Sequence, residues 1–514
     1  MRNNEIKTAL KEKRQFYNIW IENGKPMDLS NPLLIQKKRT KQEFRRSIRI
    51  AVAKLRECEM EARSNNMEMF HKLIQRNRKK GNEFFQDLNM NSITYSGQNE
   101  VIQGIREHFS KLATLDKNQF HRNKYHQLVE KEIVYINEMT KNQPMQPITE
   151  KELKDAINSI NRRKSADYYN ITIDHFLYSE DQIISILLLL INNIFRAGEI
   201  PDSLKIGLLS PIYKNKGSKH DATNYRGITV LPVLSKIFES IIKVRIQPNI
   251  QNMQNTSQRG FTKGASPRNA ALPVEEANRT SADEKNNGYL VLLDAKAAFD
   301  KVVHSHLFRR IYQAGIQNKT WSLISNLHQE TKSCIKWKSS NSEMFDVKMG
   351  VRKGGFLSAD LYKLYINPLL DHLQNVSVRH RIGNIKNNNT GCADDVALIS
   401  QDIYDSQIMV NMAVDFAKSE GYEFQPQKSV VIDIIEKNKK KTNTVKEIHL
   451  KMGDKPMPNV DRATHLGIIR TTSMKSNIRA NVDENITKPR RSAYILFGNS
   501  FHGTNGLDPE SISI

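Results

Sequence analysis

The spacing of apolar residues predicts a mostly helical N-terminal region. From Leu33 to Lys80 there is no Pro or Gly, and single apolar residues recur among Lys, Arg, Glu and Gln, as in a long amphipathic helix. Shorter helical patterns follow at Asn99 to Ala113 and at Thr149 to Ile160. In the second of these, Thr149 and Glu152 have the spacing of a capping box, which marks the start of a helix.

Downstream of this region, short apolar strands alternate with helices. Strands are predicted at Lys205 to Ser210, Gly288 to Leu293, Ser333 to Trp337, Gly383 to Ile385 and Val396 to Ser400, and helices at Leu231 to Ile246, His304 to Ala314 and Asp402 to Gly421. This alternation is typical of an α+β or α/β core. The longest apolar run, Ile183 to Ile191, is too short to span a bilayer and is predicted to be a buried helix.

The length and net charge of the chain indicate its size class and the kind of partner it binds. The chain has 514 residues, enough for several subdomains around one or two sizeable cores. Its 78 Lys and Arg against 55 Asp and Glu give a net charge of +23, which favours a polyanionic partner such as nucleic acid. Residues 1–90 alone contain 21 Lys and Arg against 11 Asp and Glu. A solvated helix face and direct contact with RNA or DNA both explain this basic segment.

The cysteines and the first residues of the sequence indicate the cellular compartment of the protein. Cys58, Cys334 and Cys392 are too scattered for a disulfide framework or a zinc cluster, which indicates a reducing compartment. The residues after Met1 are polar and basic and lack the apolar segment of a signal peptide. We therefore expect a nuclear or cytoplasmic protein that is neither secreted nor bound to a membrane.

Carboxylates occur at two points where strands end or turn. Tyr289 begins an apolar strand that ends in Asp294, and Asp394 and Asp395 lie between two short strand-like segments, as in a hairpin. Alone, each is an ordinary turn signal, because Asp is a favoured turn residue. Together they are the hard oxygen ligands that two Mg²⁺ ions need in order to activate a 3′-hydroxyl and neutralise a reacting phosphate. Asp294 and Asp394 would bridge the metals, with Asp395 the weaker ligand.

These segments resemble motifs A and C of reverse transcriptases, and further motifs follow in the family's order. They are the fingers motifs from Leu209 to Gly217 and from Asn224 to Glu239, the template-side motif from Gln258 to Gly264, motif B from Gly350 to Ser358, motif D from Gly421 to Lys428 and motif E from His465 to Ile468. The chain most resembles the jockey-like polymerases of non-LTR (LINE-type) retrotransposons. The resemblance extends from about Thr149 to Asn505.

The resemblance implies a fold and a set of domains. The fold is an α+β right-hand polymerase, preceded by a basic helical extension over residues 1–148. Fingers would span residues 149–287, the palm with interleaved fingers elements 288–464, and the primer grip with a short, incomplete thumb 465–514. No endonuclease-sized segment precedes the motifs, so we expect a fragment of a longer polyprotein or a truncated copy.

The resemblance also implies roles for single residues. It gives the nucleotide site as Lys214, Arg226, Phe299 and Gly354, and the template and primer contacts as Gly260, Phe261, Lys263, Leu466 and Gly467. Phe299 would be the steric gate that excludes a 2′-hydroxyl. Lys428 would protonate the leaving pyrophosphate. The implied cofactor is a pair of Mg²⁺ ions. The implied partners are an RNA template, a DNA primer, their hybrid and deoxynucleoside triphosphates.

Several positions depart from the family pattern without removing a metal ligand. Motif B has Lys353 where Gln is usual, and Ala359 and Asp360 where an apolar pair is common. Cys392 replaces the usual aromatic before Ala-Asp-Asp, and Gln425 replaces the Asn of motif D. The changed positions are ones that the resemblance assigns to template positioning and to the nucleotide pocket.

Two interpretations are compatible with these observations. The first is an RNA-directed DNA polymerase. The second is a decayed or truncated copy that only binds RNA through its basic surface. A group II intron maturase shares the palm but would have a maturase region after the thumb, and we find no such region in this sequence. The intact aspartates favour the first interpretation, and the altered motif B favours the second.

Overall fold

The computed structural model describes most of the chain. The described residues are 4–28, 30–65, 87–90, 93–114, 124–179, 181–284, 286–338, 340–376, 381–382, 385–434 and 449–498. The parts of the predicted helix beyond residue 65, of the predicted strand at 383–384 and of the expected thumb beyond residue 498 lie outside them. Two compact units are present: one comprises residues 85–481, and the other residues 1–84 with 482–514.

The N-terminal unit contains two packed helices, α1 (Asn4–Glu22) and α2 (Pro32–Asn65). Trp20 is almost fully buried, and Lys37 Nζ lies 3.0 Å from the centroid of its indole ring. The amphipathic helix predicted to begin at Leu33 is therefore confirmed as far as Asn65.

The larger unit is a mixture of helices and strands. Its helices are α3 (Gln98–Leu112), α4 (Lys124–Lys141), α5 (Glu150–Ser159), α6 (Asp174–Leu177), α7 (Asp181–Ala197), α8 (Val233–Met253), α9 (Pro267–Asp283), α10 (His304–Gln313), α11 (Lys319–His328), α12 (Ser358–Asn375) and α13 (Ile403–Glu420), and α14 (Met474–Gly498) begins in it. Its strands are β1 (Asp87–Met90), β2 (Ile93–Ser96), β3 (Ile206–Tyr213), β4 (Tyr225–Val230), β5 (Gly288–Leu293), β6 (Lys332–Trp337), β7 (Ser340–Asn341), β8 (Phe345–Asp346), β9 (Arg381–Ile382), β10 (Ile385–Lys386), β11 (Asn389–Cys392), β12 (Asp395–Ser400), β13 (Val430–Ile434), β14 (Lys451–Met452), β15 (Lys455–Pro456), β16 (Arg462–His465) and β17 (Ile468–Thr471). The expected α+β class is confirmed.

A four-stranded antiparallel sheet of order β11-β12-β5-β13 carries the site. Its side chains alternate between two faces, as the period of a strand requires. Val291 and Leu293 belong to the main helical core, whereas Leu290 packs in a second cluster with Ala397 and Ile432. The central strand β5 is buried on both faces, so its carboxyl end is held rigidly.

A second sheet has the order β4-β3-β6-β7 with β8 beside β6, and it combines strands that precede and strands that follow β5 in the sequence. Helix α3 covers it: Ile105 and Phe109 share a core cluster with Leu209 and Trp337. Strands β1 and β2 and helix α3 thus contribute to the core of this sheet. The domain boundaries expected at residues 149, 288 and 465 all lie within the larger compact unit and remain predictions.

The apolar run of α7 differs from its prediction. Ile184, Leu187 and Ile191 are buried, but Ile186 and Leu189 are 65% and 63% exposed. Consecutive residues occupy all sides of a helix and only one side of α7 meets the core, so the rest of its apolar run lies at the surface. None of the described helices is long and apolar enough to cross a membrane.

Candidate active site

Two adjacent strands bring the predicted carboxylates together. Val396 of β12 pairs with Leu293 of β5, so the next residues in the register, Asp395 and Asp294, are neighbours at the end of the sheet. Asp394 lies in the two-residue turn between β11 and β12. The hairpin and the strand-end carboxylate that the sequence indicated are both present.

The turn of this hairpin is braced by a buried glutamine. Ala393, its first residue, has a left-handed backbone with φ of 62°, which is unfavourable for a residue with a Cβ. Gln258 Oε1 accepts a 2.9 Å hydrogen bond from the Ala393 N–H, and its Nε2 donates a 3.1 Å bond to the Ala393 carbonyl. Both polar backbone groups of the strained residue are therefore held by one side chain.

The template-side motif packs directly against the same turn. A Cβ at Gly260 would clash with the backbone nitrogen of Ala393, so only glycine allows this approach. The Arg259 N–H also donates a 2.8 Å bond to the carbonyl of Gly391 in β11. The loop from Gln258 to Gly260 is thereby attached to the β11–β12 hairpin.

Burial and like charge together raise the pKa values of two of these aspartates, Asp394 and Asp395. Burial raises the pKa of Asp394, and the charge of Asp294 raises it further, while Arg226 and Lys353 oppose the shift. Burial and the charges of Asp394 and Asp294 raise the pKa of Asp395 to about 6. Such mutual repulsion is the environment that a bound divalent cation relieves.

Motif D fixes the carboxylate at the end of β5. Gln425 Nε2 donates a 2.6 Å hydrogen bond to Oδ2 of Asp294, and its backbone N–H donates a 2.9 Å bond to the Asp294 carbonyl. Ser429 Oγ accepts a 3.0 Å bond from the Asp294 N–H. The loop that carries Lys428 is thus anchored at both ends to Asp294.

A cavity of about 280 Å³ opens beside this loop. Asp294, Asp395 and Lys428 line it from the sheet, and His465 and Leu466 line it from the β16–β17 hairpin. Leu466 and Gly467 form the tip of that hairpin, with φ of 52° and 80°. Three of the residues predicted for catalysis, Asp294, Asp395 and Lys428, therefore share one cavity with Leu466 of the predicted primer grip, whereas Asp394 and Gly467 are not among the residues that line it.

His465 is buried in this cavity wall. Burial and the charge of Arg470 lower the pKa of His465 to about 4, so the ring is neutral at pH 7. Among the described residues neither ring nitrogen has a hydrogen-bond partner.

Basic side chains face the aspartates from the second sheet. Lys214 follows β3, its Nζ donates a 2.7 Å bond to the Thr223 carbonyl, and Arg226 lies on the adjacent strand β4. Burial lowers the pKa of Lys214, and the charges of Arg226, Lys428 and Lys353 lower it further. Lys214 is therefore close enough to three other cations to be repelled by them, which favours an anionic ligand.

The ring of Phe299 lies between two others. It stacks on Tyr362 of α12 with ring centroids 4.2 Å apart, and Phe261 meets it edge-on at 6.1 Å. Tyr362 is fully buried, whereas Phe261 is 58% exposed. Phe299 is half-buried and packs against the main core.

The departures in motif B have ionic partners. Lys353 Nζ lies 2.6 Å from Oδ1 of Asp300. Lys363 Nζ lies 2.8 Å from Oδ1 of Asp360 and donates a 3.2 Å bond to the carbonyl of Phe261. The charged residue introduced at position 360 therefore supports the template-side loop from within the core.

Two other predicted residues, Gly354 and Lys263, do not line the cavity that contains Asp294. Gly354 has φ of 93° and allows motif B to approach the carbonyl of Thr229 in β4, where a Cβ would clash. Lys263 is exposed and is not among the residues that line the cavity. The contacts of Gln425 and Gln258 were not predicted, and no local pattern signals them.

No group of three His, Cys, Asp or Glu side chains in the described part of the chain converges as a ready-made metal cage. Hard divalent cations commonly bind through one or two carboxylates together with water and substrate phosphates. Asp294 and Asp394 are the carboxylates that fit this requirement best, since they interact with each other and Asp394 also interacts with the cations.

Comparisons with known proteins agree with the motifs. Residues 214–468 match the family described as reverse transcriptase (RNA-dependent DNA polymerase). The chain is similar to the Pol polyprotein of the type-2 retrotransposable element R2DM of Drosophila melanogaster, with 24% identity over 59% of this chain and 28% of that protein. It is also similar to the probable RNA-directed DNA polymerase of transposon X-element from the same species, with 31% identity over 36% of this chain and 20% of that protein.

A third similar protein is the RNA-directed DNA polymerase of mobile element jockey from Drosophila funebris, with 24% identity over 43% of this chain and 24% of that protein. The matched region spans less than a third of the length of each of these relatives.

Proposed function

Because this chain, through residues 214–468, belongs to the reverse transcriptases of non-LTR retrotransposons, we propose that it is an RNA-directed DNA polymerase. It extends a DNA primer on an RNA template by nucleotidyl transfer. The observation that carries the proposal is the convergence of Asp294, Asp394 and Asp395 at one end of a rigid sheet, opposite a cluster of cations. The carboxylates could thus bind the metal ions of a metal–triphosphate complex, and the cations its phosphates.

Asp294 and Asp394 would hold two Mg²⁺ ions, with Asp395 as a weaker ligand. When bound, the ions lower the pKa of the primer hydroxyl and neutralise charge on the transferred phosphate. The protein supplies rigidity: β5 is buried on both faces, Gln425 orients Asp294, and the hairpin turn is braced. Carboxylates fixed in this way need little reorganisation when the substrate binds.

The cations would bind the polyphosphate of the incoming nucleotide. Arg226 presents a planar fork that suits bidentate phosphate contact, and Lys214 acts as a point charge. Lys428 lines the same cavity as Asp294, so it is placed to donate a proton to the departing pyrophosphate.

The remaining contacts would position the two strands. The primer end occupies the cavity between Asp294 and the β16–β17 hairpin, whose tip is Leu466 and Gly467. The template follows the loop that contains Gly260, Phe261 and Lys263. Phe299 lies under the sugar and excludes a 2′-hydroxyl, so the product is DNA.

In this proposal the two sheets belong to different subdomains. The sheet with β3 and β4, together with α3, forms part of the fingers. The sheet with β5 and β12 forms the palm, and the β16–β17 hairpin begins the thumb side. Closure of the fingers cations onto the palm carboxylates would assemble the site around the nucleotide.

Primer extension on a homopolymer RNA template with Mg²⁺ tests the function. We expect Asp294→Asn and Asp394→Asn each to reduce extension by about a thousandfold, since each removes several kcal/mol of transition-state stabilisation. RNA binding should remain near the wild-type value. Asp433→Asn is the matched control: Asp433 lies on the same sheet but pairs with Tyr289, at the other end of β5.

Full extension by either active-site variant would contradict the assignment. Failure of the folded wild-type protein to extend any primer, with RNA binding retained, would instead support a copy that only binds RNA.

A further inference from the structure

Lys353 occupies a position where the family usually has glutamine, and its charge has a dedicated partner. Its Nζ lies 2.6 Å from Oδ1 and 2.7 Å from Oδ2 of Asp300. Asp300 ends the short 3-10 helix Ala298–Asp300, which also carries Phe299. The two side chains are 33% and 27% exposed, so the pair is partly open to solvent and is not part of the core.

The charge of Lys353 reaches both halves of the active site. It acts on Lys214, where it lowers the pKa, and on Asp394, where it opposes the rise in pKa. Asp300 has the opposite effect on Lys214 and raises its pKa. Lys353 is thus one member of the cation cluster, and Asp300 supplies negative charge within that cluster.

The neighbouring backbone keeps Lys353 in this place. Gly354 has a left-handed backbone and lies against the carbonyl of Thr229 in β4, so the start of the Lys353 side chain is fixed. The rest of a lysine is a flexible stem with a compact charge at its end. Such a group can change partner without movement of the backbone.

We propose that Lys353 is a polyphosphate-binding residue of the nucleotide site, and that Asp300 is the counterion that holds it ready when no nucleotide is bound. This inference rests on the proposed function and extends it to a residue that departs from the family. A triphosphate carries more charge than one carboxylate, so it displaces Asp300 from Lys353. Asp300 therefore competes with the substrate and limits its affinity.

The proposal predicts that substitutions of Lys353 and of Asp300 change phosphate affinity in opposite directions. Lys353→Gln removes the phosphate contact and should raise the Kd for inorganic tripolyphosphate and the KM for deoxynucleotides about tenfold, as expected for the loss of one charge-assisted hydrogen bond. Asp300→Asn removes the competitor and should lower both constants. The double variant should behave like Lys353→Gln.

Calorimetry with tripolyphosphate, without metal or nucleic acid, gives a readout that does not depend on catalysis. Lys348→Gln is the control for net charge, because Lys348 lies 3.9 Å from Asp346 in a pair that is 59% exposed on both sides. It should change neither constant. Lys353→Arg keeps the charge and should retain most of the affinity, which guards against a folding defect in the glutamine variant.

A purely structural ion pair would give a different pattern. Both single variants would then weaken binding and lower Tm together, and this result would overturn the inference. If the opposite signs are found but the wild-type protein extends no primer, the polymerase assignment fails while the role of Lys353 as a phosphate ligand stands.

Discussion

The side-chain amide of Gln425 donates a 2.6 Å hydrogen bond to Oδ2 of Asp294, across 131 residues of sequence. The same residue is also bonded to the Asp294 carbonyl through its backbone. One carboxylate oxygen of the proposed metal ligand is therefore occupied, and the other is left for a cation. Gln425 thus determines which way the carboxylate faces.

Replacing Gln425 by Leu should weaken both metal binding and catalysis. A lost hydrogen bond to a charged group is worth about 1.5 to 3 kcal/mol, which corresponds to a tenfold to hundredfold lower rate. We expect the Mg²⁺ concentration at half-maximal extension to rise as well, because Asp294 would rotate freely. Gln407→Leu, at a glutamine bonded to the Lys451 carbonyl on the surface, is the control. An unchanged Mg²⁺ titration for the Gln425 variant would contradict this role.

Phe299 and the ring behind it should control sugar selection. Phe299→Val should raise ribonucleotide incorporation relative to deoxyribonucleotide incorporation on the same RNA template. Tyr362 stacks on Phe299, so Tyr362→Leu should have the same effect in weaker form, whereas Tyr362→Phe should retain selectivity. Tyr365→Leu removes an equally buried ring of α12 and serves as the control for reduced packing. If Phe299→Val leaves the ratio unchanged, Phe299 is a core residue only.

The basic N-terminal unit should contribute to RNA affinity. If its side chains neutralise phosphates, deletion of residues 1–84 should flatten the plot of log affinity against log salt, by about 0.7 for each phosphate of single-stranded RNA that the unit neutralises. The deletion must stop before Phe85, because Leu88 and Ile105 pack in the core of the larger unit. RNA affinity of the wild type and of the deletion variant would be measured from low to moderate salt. An unchanged slope would mean that the basic surface of the unit is only solvated and does not contact RNA.

Acid stability should depend on Glu152. A bidentate hydrogen bond from Arg245, at 2.8 and 3.0 Å, is the main cause that lowers the pKa of Glu152 to about 2 from its usual 4.5. Because the folded-state pKa is the lower one, this pair stabilises the fold above pH 4.5, and the stabilisation is lost as pH falls from about 4.5 to 2.

Glu152→Gln should therefore lower Tm near neutral pH and reduce the acid dependence of Tm in that window. Glutamine retains the capping box, so the variant isolates the ion pair. Glu150→Gln, at an exposed pair with Lys154 in the same helical turn, is the control. Equal acid dependence in the wild type and the Glu152 variant would rule out the effect.

Much of the local structure follows from the sequence alone. The strand Gly288–Leu293, the hairpin before Asp395, the capping box at Thr149 and the helix that ends at Gly421 were all predicted and are present. These features depend on side-chain period, on turn chemistry and on caps, which act over a few residues. The order of the motifs likewise indicated the reverse transcriptases, the family that residues 214–468 match.

Only the tertiary structure decided which of these residues act together. Gln425 with Asp294, Gln258 with Ala393, and Lys353 with Asp300 are side-chain contacts between segments 53 to 135 residues apart. The tertiary structure likewise decided which face of α7 is exposed and that α3 packs on the second sheet. A local pattern fixes the period of an element and the chemistry of its faces. It does not specify the partner that each face meets, because that partner is brought into place by the folding of the whole unit.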